Sequence, residues 1–220
     1  MLRIGHRGAA GLAPENTLAS IERAISLGLD ICEVDVRRTG DGHLVALHDA
    51  HVDRTTNGTG FVSEMSVLEL RELDAGGGQR IPTLEDVLLT VAGRIGLILE
   101  IKVQGLALPI FEIVRRVGIT GPVIYASFIH EELRSIRETD SQALTAVLFP
   151  RLTKAPVAVA QKVRATHAGF NYRGVTGPLV EACHQQGLAV LVYTVNDRHD
   201  IERMKSLGVD GIISDYPDRL

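Results

Sequence analysis

The sequence predicts an α/β fold of one domain over residues 1–220, a closed TIM-type (β/α)8 barrel, and three observations lead there. Short apolar segments of strand length alternate with helical patterns almost from end to end, which implies parallel strands joined by crossovers. About eight such units fit into 220 residues, a length that supports one sizeable core and is compact for this fold. The rival, an open doubly wound sheet, usually carries a glycine-rich nucleotide loop after its first strand. Gly5-His6-Arg7-Gly8 does not fit that pattern.

The elements follow in order. A first strand is expected over residues 2–6, then a helix over 16–27 with Asn16 or Thr17 as its cap. The second strand, residues 31–36, is the apolar run Ile31-Cys32-Glu33-Val34-Asp35-Val36. Cys32 alternates with Glu33, so it should face the helices as a small apolar residue. Further strands are expected over 44–48, 97–102, 123–127, 144–149, 167–171, 189–194 and 211–214. Helices are expected over 84–92, capped by Thr83, and over 106–117, 131–139, 178–186 and 198–207. Gly28, Gly118, Gly187 and Gly208 stand just past helix ends, where a left-handed residue is wanted.

One segment breaks the alternation. Only a short polar link containing Thr39-Gly40-Asp41-Gly42 separates Val36 from Leu44, enough for a hairpin and too little for a parallel crossover. The strand at 44–48 should therefore run antiparallel to 31–36 and return His48 to the side of Glu33 and Asp35. The stretch 49–81 is long and rich in Thr, Gly and Asp, with a short helix near 66–73, as suits a rim or lid at a strand's end.

Composition excludes several classes. A formal net charge of −4 with 45% hydrophobic residues leaves no basic footprint for nucleic acid or an anionic membrane surface. The two cysteines, Cys32 and Cys183, suggest neither a disulfide framework nor a zinc site. No apolar run reaches the length of a membrane span, and the chain runs into a strand within a few residues of Met1. The expectation is a cytoplasmic protein whose partners are small molecules; association into a homo-oligomer is left open.

The chemistry begins with Glu33 and Asp35. On a strand these side chains share a face, where two carboxylates repel and lose hydration. A cation between them resolves the conflict. A divalent metal is the simplest one; a buried ion network with Arg7 and Lys102 is the other. Polar residues recur where strands end: His6 and Arg7, His48 and Asp49, Glu100 and Lys102, Ser127, Asn171, and Tyr193-Thr194-Val195-Asn196. Barrel active sites form at these ends. Glu33, Asp35 and Glu100 suit a hard cation such as Mg²⁺ or Ca²⁺, Arg7 and Lys102 suit an anion, and two histidines offer an acid and a base. Such a set matches phosphoryl transfer. The other histidines, His43, His51, His130, His167, His184 and His199, read as solvated or core residues.

These residues are recognisable together. His6-Arg7-Gly8 with Pro14-Glu15-Asn16-Thr17, Glu33-Val34-Asp35-Val36 with His48-Asp49, and Asp53-Arg54-Thr55-Thr56-Asn57-Gly58-Thr59-Gly60 occur in order. Glu100-Ile101-Lys102, Thr194-Val195-Asn196 and the run from Gly208 to Pro217 complete the set. In this the chain resembles the glycerophosphodiester phosphodiesterase family over nearly its whole length. The resemblance implies a TIM-type barrel and metal-dependent hydrolysis of glycerophosphodiesters to glycerol 3-phosphate and an alcohol. It implies His6 and His48 as the catalytic acid/base pair, Glu33, Asp35 and Glu100 as ligands of Mg²⁺ or Ca²⁺, and Arg7 and Lys102 as phosphate contacts. Tyr193 stands where the family usually has Trp and is expected to contact substrate. A lysophospholipase D-type activity on lipid diesters is the nearest rival, and a non-catalytic phosphate-binding barrel a more distant one.

Overall fold

The computed structural model describes all residues, Met1–Leu220. Nine strands are present: β1 (Leu2–Gly5), β2 (Ile31–Arg38), β3 (Leu44–Ala46), β4 (Gly96–Ile101), β5 (Val123–Ser127), β6 (Leu144–Phe149), β7 (His167–Asn171), β8 (Ala189–Tyr193) and β9 (Gly211–Ser214). The helices are α1 (Leu18–Ser26), α2 (Val67–Glu72), α3 (Leu84–Val91), α4 (Ala107–Val117), α5 (His130–Thr139), α6 (Pro156–Lys162), α7 (Gly177–His184) and α8 (Arg198–Ser206). Eight strands pair in parallel in the order β1-β9-β8-β7-β6-β5-β4-β2, and β1 pairs with β2 to close the ring. The chain is a closed parallel barrel with helices between its strands, as the alternation implies.

β3 is the ninth strand and lies outside the ring, antiparallel to β2 with Val36 opposite Ala46. The expected hairpin is there, with its return strand two residues shorter at the end than expected. Beyond β3, the Leu47 N–H donates to the Asp35 carbonyl at 3.1 Å and His48 follows at once. The edge of β2 that β1 leaves after Gly5 is thus completed piece by piece. The Gly8 N–H donates to the Glu33 carbonyl, the Asn16 side chain accepts the Asp35 N–H, and Leu47 takes the Asp35 carbonyl. A strand edge without partners costs heavily when buried, so these bonds fix the loop after β1 over the mouth of the barrel.

Three apolar layers hold the frame. Alternate residues of the strands, among them Val34, Leu99 and Val190, pack outward against α-helical residues such as Ile21 and Leu88. Cys32 belongs to this outer layer, fully buried, as its place in the alternation requires. The opposite positions, Ile4, Ile31, Ile98, Leu148, Leu191 and Ile213, fill the barrel interior. A third cluster, with Val45, Val52, Leu70 and Ile81, lies under the 49–81 excursion and gives it a core of its own. Its helix α2 begins with a full capping box from Ser66 and Glu69, and Thr83 with Asp86 caps α3 the same way. Gly28, Gly118, Gly187 and Gly208 all have positive φ past helix ends.

α1 starts two residues later than the sequence pattern suggests. Thr17 caps it through the Ser20 N–H, while Asn16 has a left-handed φ of 57° and turns its side chain into the barrel mouth. Gly8 governs that approach. Its φ is 88°, and a Cβ there would sit 2.3–2.7 Å from Ser20 on α1. Gly8→Ala should therefore destabilise the chain by about 2–4 kcal/mol. Urea unfolding checks this as a lower midpoint at unchanged slope; a parent-like midpoint would mean the loop after β1 does not need that backbone.

Candidate active site

The C-terminal ends of the strands bring the charged residues into one mouth. Parallel pairing of β2 with β4 sets Asp35 directly opposite Glu100 and Glu33 opposite Ile98. Glu33, Asp35 and Glu100 each offer an oxygen, and these lie within 4.8 Å of one another. Like charges paired across strands destabilise a sheet, and Glu33 and Asp35 are also almost fully buried.

The two neighbouring cations relieve this only in part. Lys102 bonds to Glu100 and lies 3.3 Å from Asp35, and Arg7 Nε is also 3.3 Å from Asp35. Neither approach to Asp35 has hydrogen-bond alignment, since Asp35 Oδ1 and Arg7 Nε are both buried without a bonded partner. The Asp35 carboxylate is instead fixed by Asn16, whose Nδ2 donates to Oδ2 at 2.8 Å while its Oδ1 accepts the Asp35 N–H at 3.1 Å. Arg7 is shared with Glu15, which accepts from it at 2.7 Å and from both Nη groups of Arg54 as well. Glu33 receives the least: the Arg7 backbone N–H at 2.8 Å on Oε2, with Oε1 buried and unbonded. An ion network of Arg7 and Lys102 therefore accounts for Asp35 and Glu100 and leaves Glu33 only the His6 ring, 3.9 Å away, as a counter-charge.

The titration of the three carboxyls follows. Burial, then the fields of Asp35 and Glu100, push Glu33 above the ordinary carboxylate range. Burial and Asp35 push Glu100 up as well, against Lys102. Burial works the same way on Asp35, but Lys102, Arg7 and His48 outweigh it and hold that group below its usual value. Oxygen ligands at about 2.0–2.6 Å from a hard cation stand no more than about 4–5 Å apart, so the spacing fits such an ion. The unbonded oxygens of Glu33 and Asp35 fit it too, because a divalent cation supplies the missing charge and the missing partners together. These three residues could hold a divalent metal.

His6 and His48 flank the carboxylates, each ring held by an aspartate. His6 Nδ1 donates to Asp215 at 2.6 Å, and Asp215 in turn accepts from Asn196 Nδ2 at 2.7 Å. His48 Nδ1 donates to Asp49 at 2.6 Å, and Arg54 Nε binds the other oxygen of Asp49 at 2.6 Å. Both rings are thus left with Nε2 for other work, that of His6 lying 3.9 Å from Glu33. His48 bears on Asp35, one strand position further out. Their surroundings differ. Burial opposes the charge of His6, but Asp215 and Glu33 outweigh it and raise its pKa. Burial, helped by Lys102 and Arg7, lowers that of His48 despite Asp35 and Asp49. A pair of titratable groups pushed apart in this way is suited to opposite proton-transfer roles.

Beneath the charges lies a small chamber lined by Ile98, Phe128, Leu148, Leu191 and Tyr193 along with His6, Glu33 and Glu100. The Tyr193 hydroxyl donates to the Phe149 carbonyl at 2.6 Å, so it is the ring, edge-on to Phe128, that faces the space. Ser127 and Asn171, polar residues at strand ends, bond to local backbone and stay out of the site. Sequence reasoning did not find the Asn16–Asp35 clamp, the Asp215–His6 bond or Phe128. Asp215 carried a usable signal: it follows β9 as His6 follows β1, and closing a barrel makes those two strands neighbours, with Gly5 opposite Ser214.

Comparison with known proteins agrees over the whole chain. The model of the glycerophosphoryl diester phosphodiesterase family matches residues 6–219. A glycerophosphodiester phosphodiesterase of Caldanaerobacter subterraneus is 37% identical, the match covering 100% of this chain and 96% of that protein. A crystal structure of a glycerophosphodiester phosphodiesterase from Agrobacterium tumefaciens is 32% identical with a TM-score of 0.86, covering 98% of this chain and 96% of that one. An Oleispira antarctica phosphodiesterase in complex with the product sn-glycerol-3-phosphate has a TM-score of 0.93 at 28% identity, covering 98% and 93%.

The electrostatics predict opposite effects of Glu33→Gln with and without metal. A folded-state pKa raised above its unfolded value means stability is present at low pH and is lost as pH rises through the folded pKa. In chelator, removing the Glu33 charge should raise the melting temperature by a few degrees at pH 8, about 1–2 kcal/mol, with the gap closing toward pH 4. With a divalent cation at about a hundred times its Kd, the parent should gain about 2.7 kcal/mol and the variant much less. Thermal melts in the two conditions check both signs; a variant that is less stable in chelator at pH 8 would contradict the account.

Proposed function

Because the chain belongs to the glycerophosphoryl diester phosphodiesterase family, we propose that it hydrolyses glycerophosphodiesters to glycerol 3-phosphate and an alcohol, with a divalent cation and His6 and His48 as its acid/base pair. The observation that carries the reading is the buried, unbonded oxygen of Glu33 beside the cross-strand pair Asp35 and Glu100, set between two aspartate-held histidines. The Oleispira relative with sn-glycerol-3-phosphate supports the product assignment.

Glu33, Asp35 and Glu100 would hold the cation, and their all-oxygen donor set suits Mg²⁺ or Ca²⁺. When bound, such a cation withdraws charge from a phosphodiester and stabilises the more negative transition state. The chain's own residues do the rest. Arg7 and Lys102, both partly buried at the rim of the cradle, bind the remaining phosphate oxygens, the guanidinium with its fork and the ammonium as a point charge. Asp215 and Asp49 keep Nδ1 of each histidine engaged, so that proton exchange takes place at Nε2. One ring takes the proton of the nucleophile, and the other returns one to the leaving alcohol. The nucleophile is water or the 2-hydroxyl of the glycerol, which would give a cyclic phosphate that water opens. The apolar chamber with the Tyr193 ring borders the cradle on the side where the glycerol portion would lie and keeps water away from one side of the reacting phosphorus.

A release assay on glycerophosphocholine, glycerophosphoethanolamine and a lysophospholipid tests this. Turnover of the two glycerophosphodiesters should be lost in chelator and return with Mg²⁺ or Ca²⁺. His6→Ala and His48→Ala should each lower kcat by about 10²–10⁴-fold with parent-like melting temperatures. Undiminished turnover in chelator, or in both histidine variants, would overturn the mechanism. Faster turnover of the lysophospholipid would move the substrate class to lipid diesters. Equal turnover of a diester lacking the 2-hydroxyl would remove the cyclic route.

A further inference from the structure

The strand that carries the cradle has one more charged residue in the same series. Side chains alternate along β2, so Glu33, Asp35 and Arg37 succeed one another on one side of it, each about 6–7 Å beyond the last. Arg37 is half-buried, and its Nε donates to the His48 carbonyl at 2.7 Å. Its terminal nitrogens bond to nothing in the protein, and no carboxylate lies within ion-pairing distance. Arg38, the exposed next residue, is unpaired as well. The other cations of the site differ sharply: Arg7, Arg54 and Lys102 are each tied to carboxylates.

Both free arginines line an open groove bounded by the hairpin turn, the 49–81 excursion and the end of β4, with Thr39, Ser63 and Val103 on its walls. Arg37 holds the His48 carbonyl and lies in the field of Asp35, Asp49 and Glu100, so the groove adjoins the cradle through this one residue. It shares no lining residue with the apolar chamber. The one acidic residue on it, Asp41, is already occupied by the Val67 N–H, the Thr39 hydroxyl and His43. The groove thus sets two arginines against one carboxylate in a protein whose net charge is −4. A half-buried guanidinium without a counter-ion is costly to keep, and its planar fork fits a carboxylate or phosphate.

We propose that this groove receives the alcohol portion of the diester and that Arg37 and Arg38 select alcohols bearing an anionic group, a carboxylate or a phosphate. The proposal rests on the diesterase reading above. It assigns the two sides of the substrate to two differently built spaces: glycerol in the apolar chamber, the variable alcohol in the arginine groove.

Glycerophosphoserine and glycerophosphoethanolamine make the sharpest probe, because they share an ammonium group and differ by one carboxylate. For the Mg²⁺- or Ca²⁺-loaded parent, kcat/KM should favour the serine diester by about tenfold at low salt, with the preference shrinking as salt is added. Arg38→Glu, which breaks no bond within the protein, should cut that ratio by about threefold or more, and Arg37→Gln should bring it close to one. Arg37→Gln also loses the bond to the His48 carbonyl and should slow both substrates, so the ratio is the quantity to read. Hydrolysis of both diesters at a ratio that neither variant moves would overturn the groove's role alone. Hydrolysis of neither would overturn the diesterase reading and the groove's role with it.

Discussion

Three carboxylates held within 4.8 Å of one another, Glu33 and Asp35 buried and Glu100 partly so, are the constraint around which the rest of the mouth is arranged. Register makes the conflict unavoidable: once β2 and β4 pair in parallel, Asp35 must face Glu100 across the ladder, and alternation sets Glu33 beside them. Asp35 is given Lys102, Arg7 and Asn16; Glu100 is given Lys102; Glu33 is given a backbone N–H and the more distant ring of His6. The shortage falls on Glu33, and its raised pKa expresses that shortage. A divalent cation held by the three carboxylates would supply the charge and the partners that Glu33 lacks.

The same shortage explains why so much of the chain converges on this mouth. Arg7 is held in a left-handed conformation with φ of 49° so that its N–H reaches Glu33 while its guanidinium reaches Asp35 and Glu15. Glu15 then recruits Arg54 from the 49–81 excursion, and Arg54 fixes Asp49, the partner of His48. A continuous chain of ion pairs thus runs from the cradle through Arg7, Glu15, Arg54 and Asp49 to one histidine. The excursion has its own apolar core, and through this chain its docking sets the position of His48. His6 is independent of it, positioned by Asp215 and Asn196 from the strands that close the barrel.

Much of this was legible in the sequence. Strand and helix positions follow from apolar periodicity and glycine punctuation, and β5, β6, β7 and β9 begin and end where the pattern puts them. The hairpin follows from the shortness of one link, since no crossover fits between Val36 and Leu44. The pairing of Glu33 with Asp35 follows from alternation alone. What escaped reading are contacts made across the closure of the ring and through loops. Asn16 reads as a helix cap because Asn at such a position usually is one; only the loop's path over β2 turns it toward Asp35. Asp215 reads as one residue of a terminal motif until β9 is known to lie against β1. Tyr193 reads as a substrate contact from its place at a strand's end, which does not say what part of it is free; its hydroxyl is bonded to the Phe149 carbonyl, so only the ring faces the chamber.

The central claim is that the carboxylate cluster is built for one divalent cation and is frustrated without it. Calorimetric titration of chelator-treated protein with Mg²⁺ and with Ca²⁺ at neutral pH, repeated in buffers of different ionisation enthalpy, tests it most directly. Metal ligands must be deprotonated, so filling a site whose Glu33 holds a proton releases that proton to the buffer. One cation bound per chain, with net proton release that disappears in Glu33→Gln, is the result this account predicts. Absence of binding, or binding with a stoichiometry and affinity indifferent to both Glu33→Gln and Asp35→Asn, would contradict it.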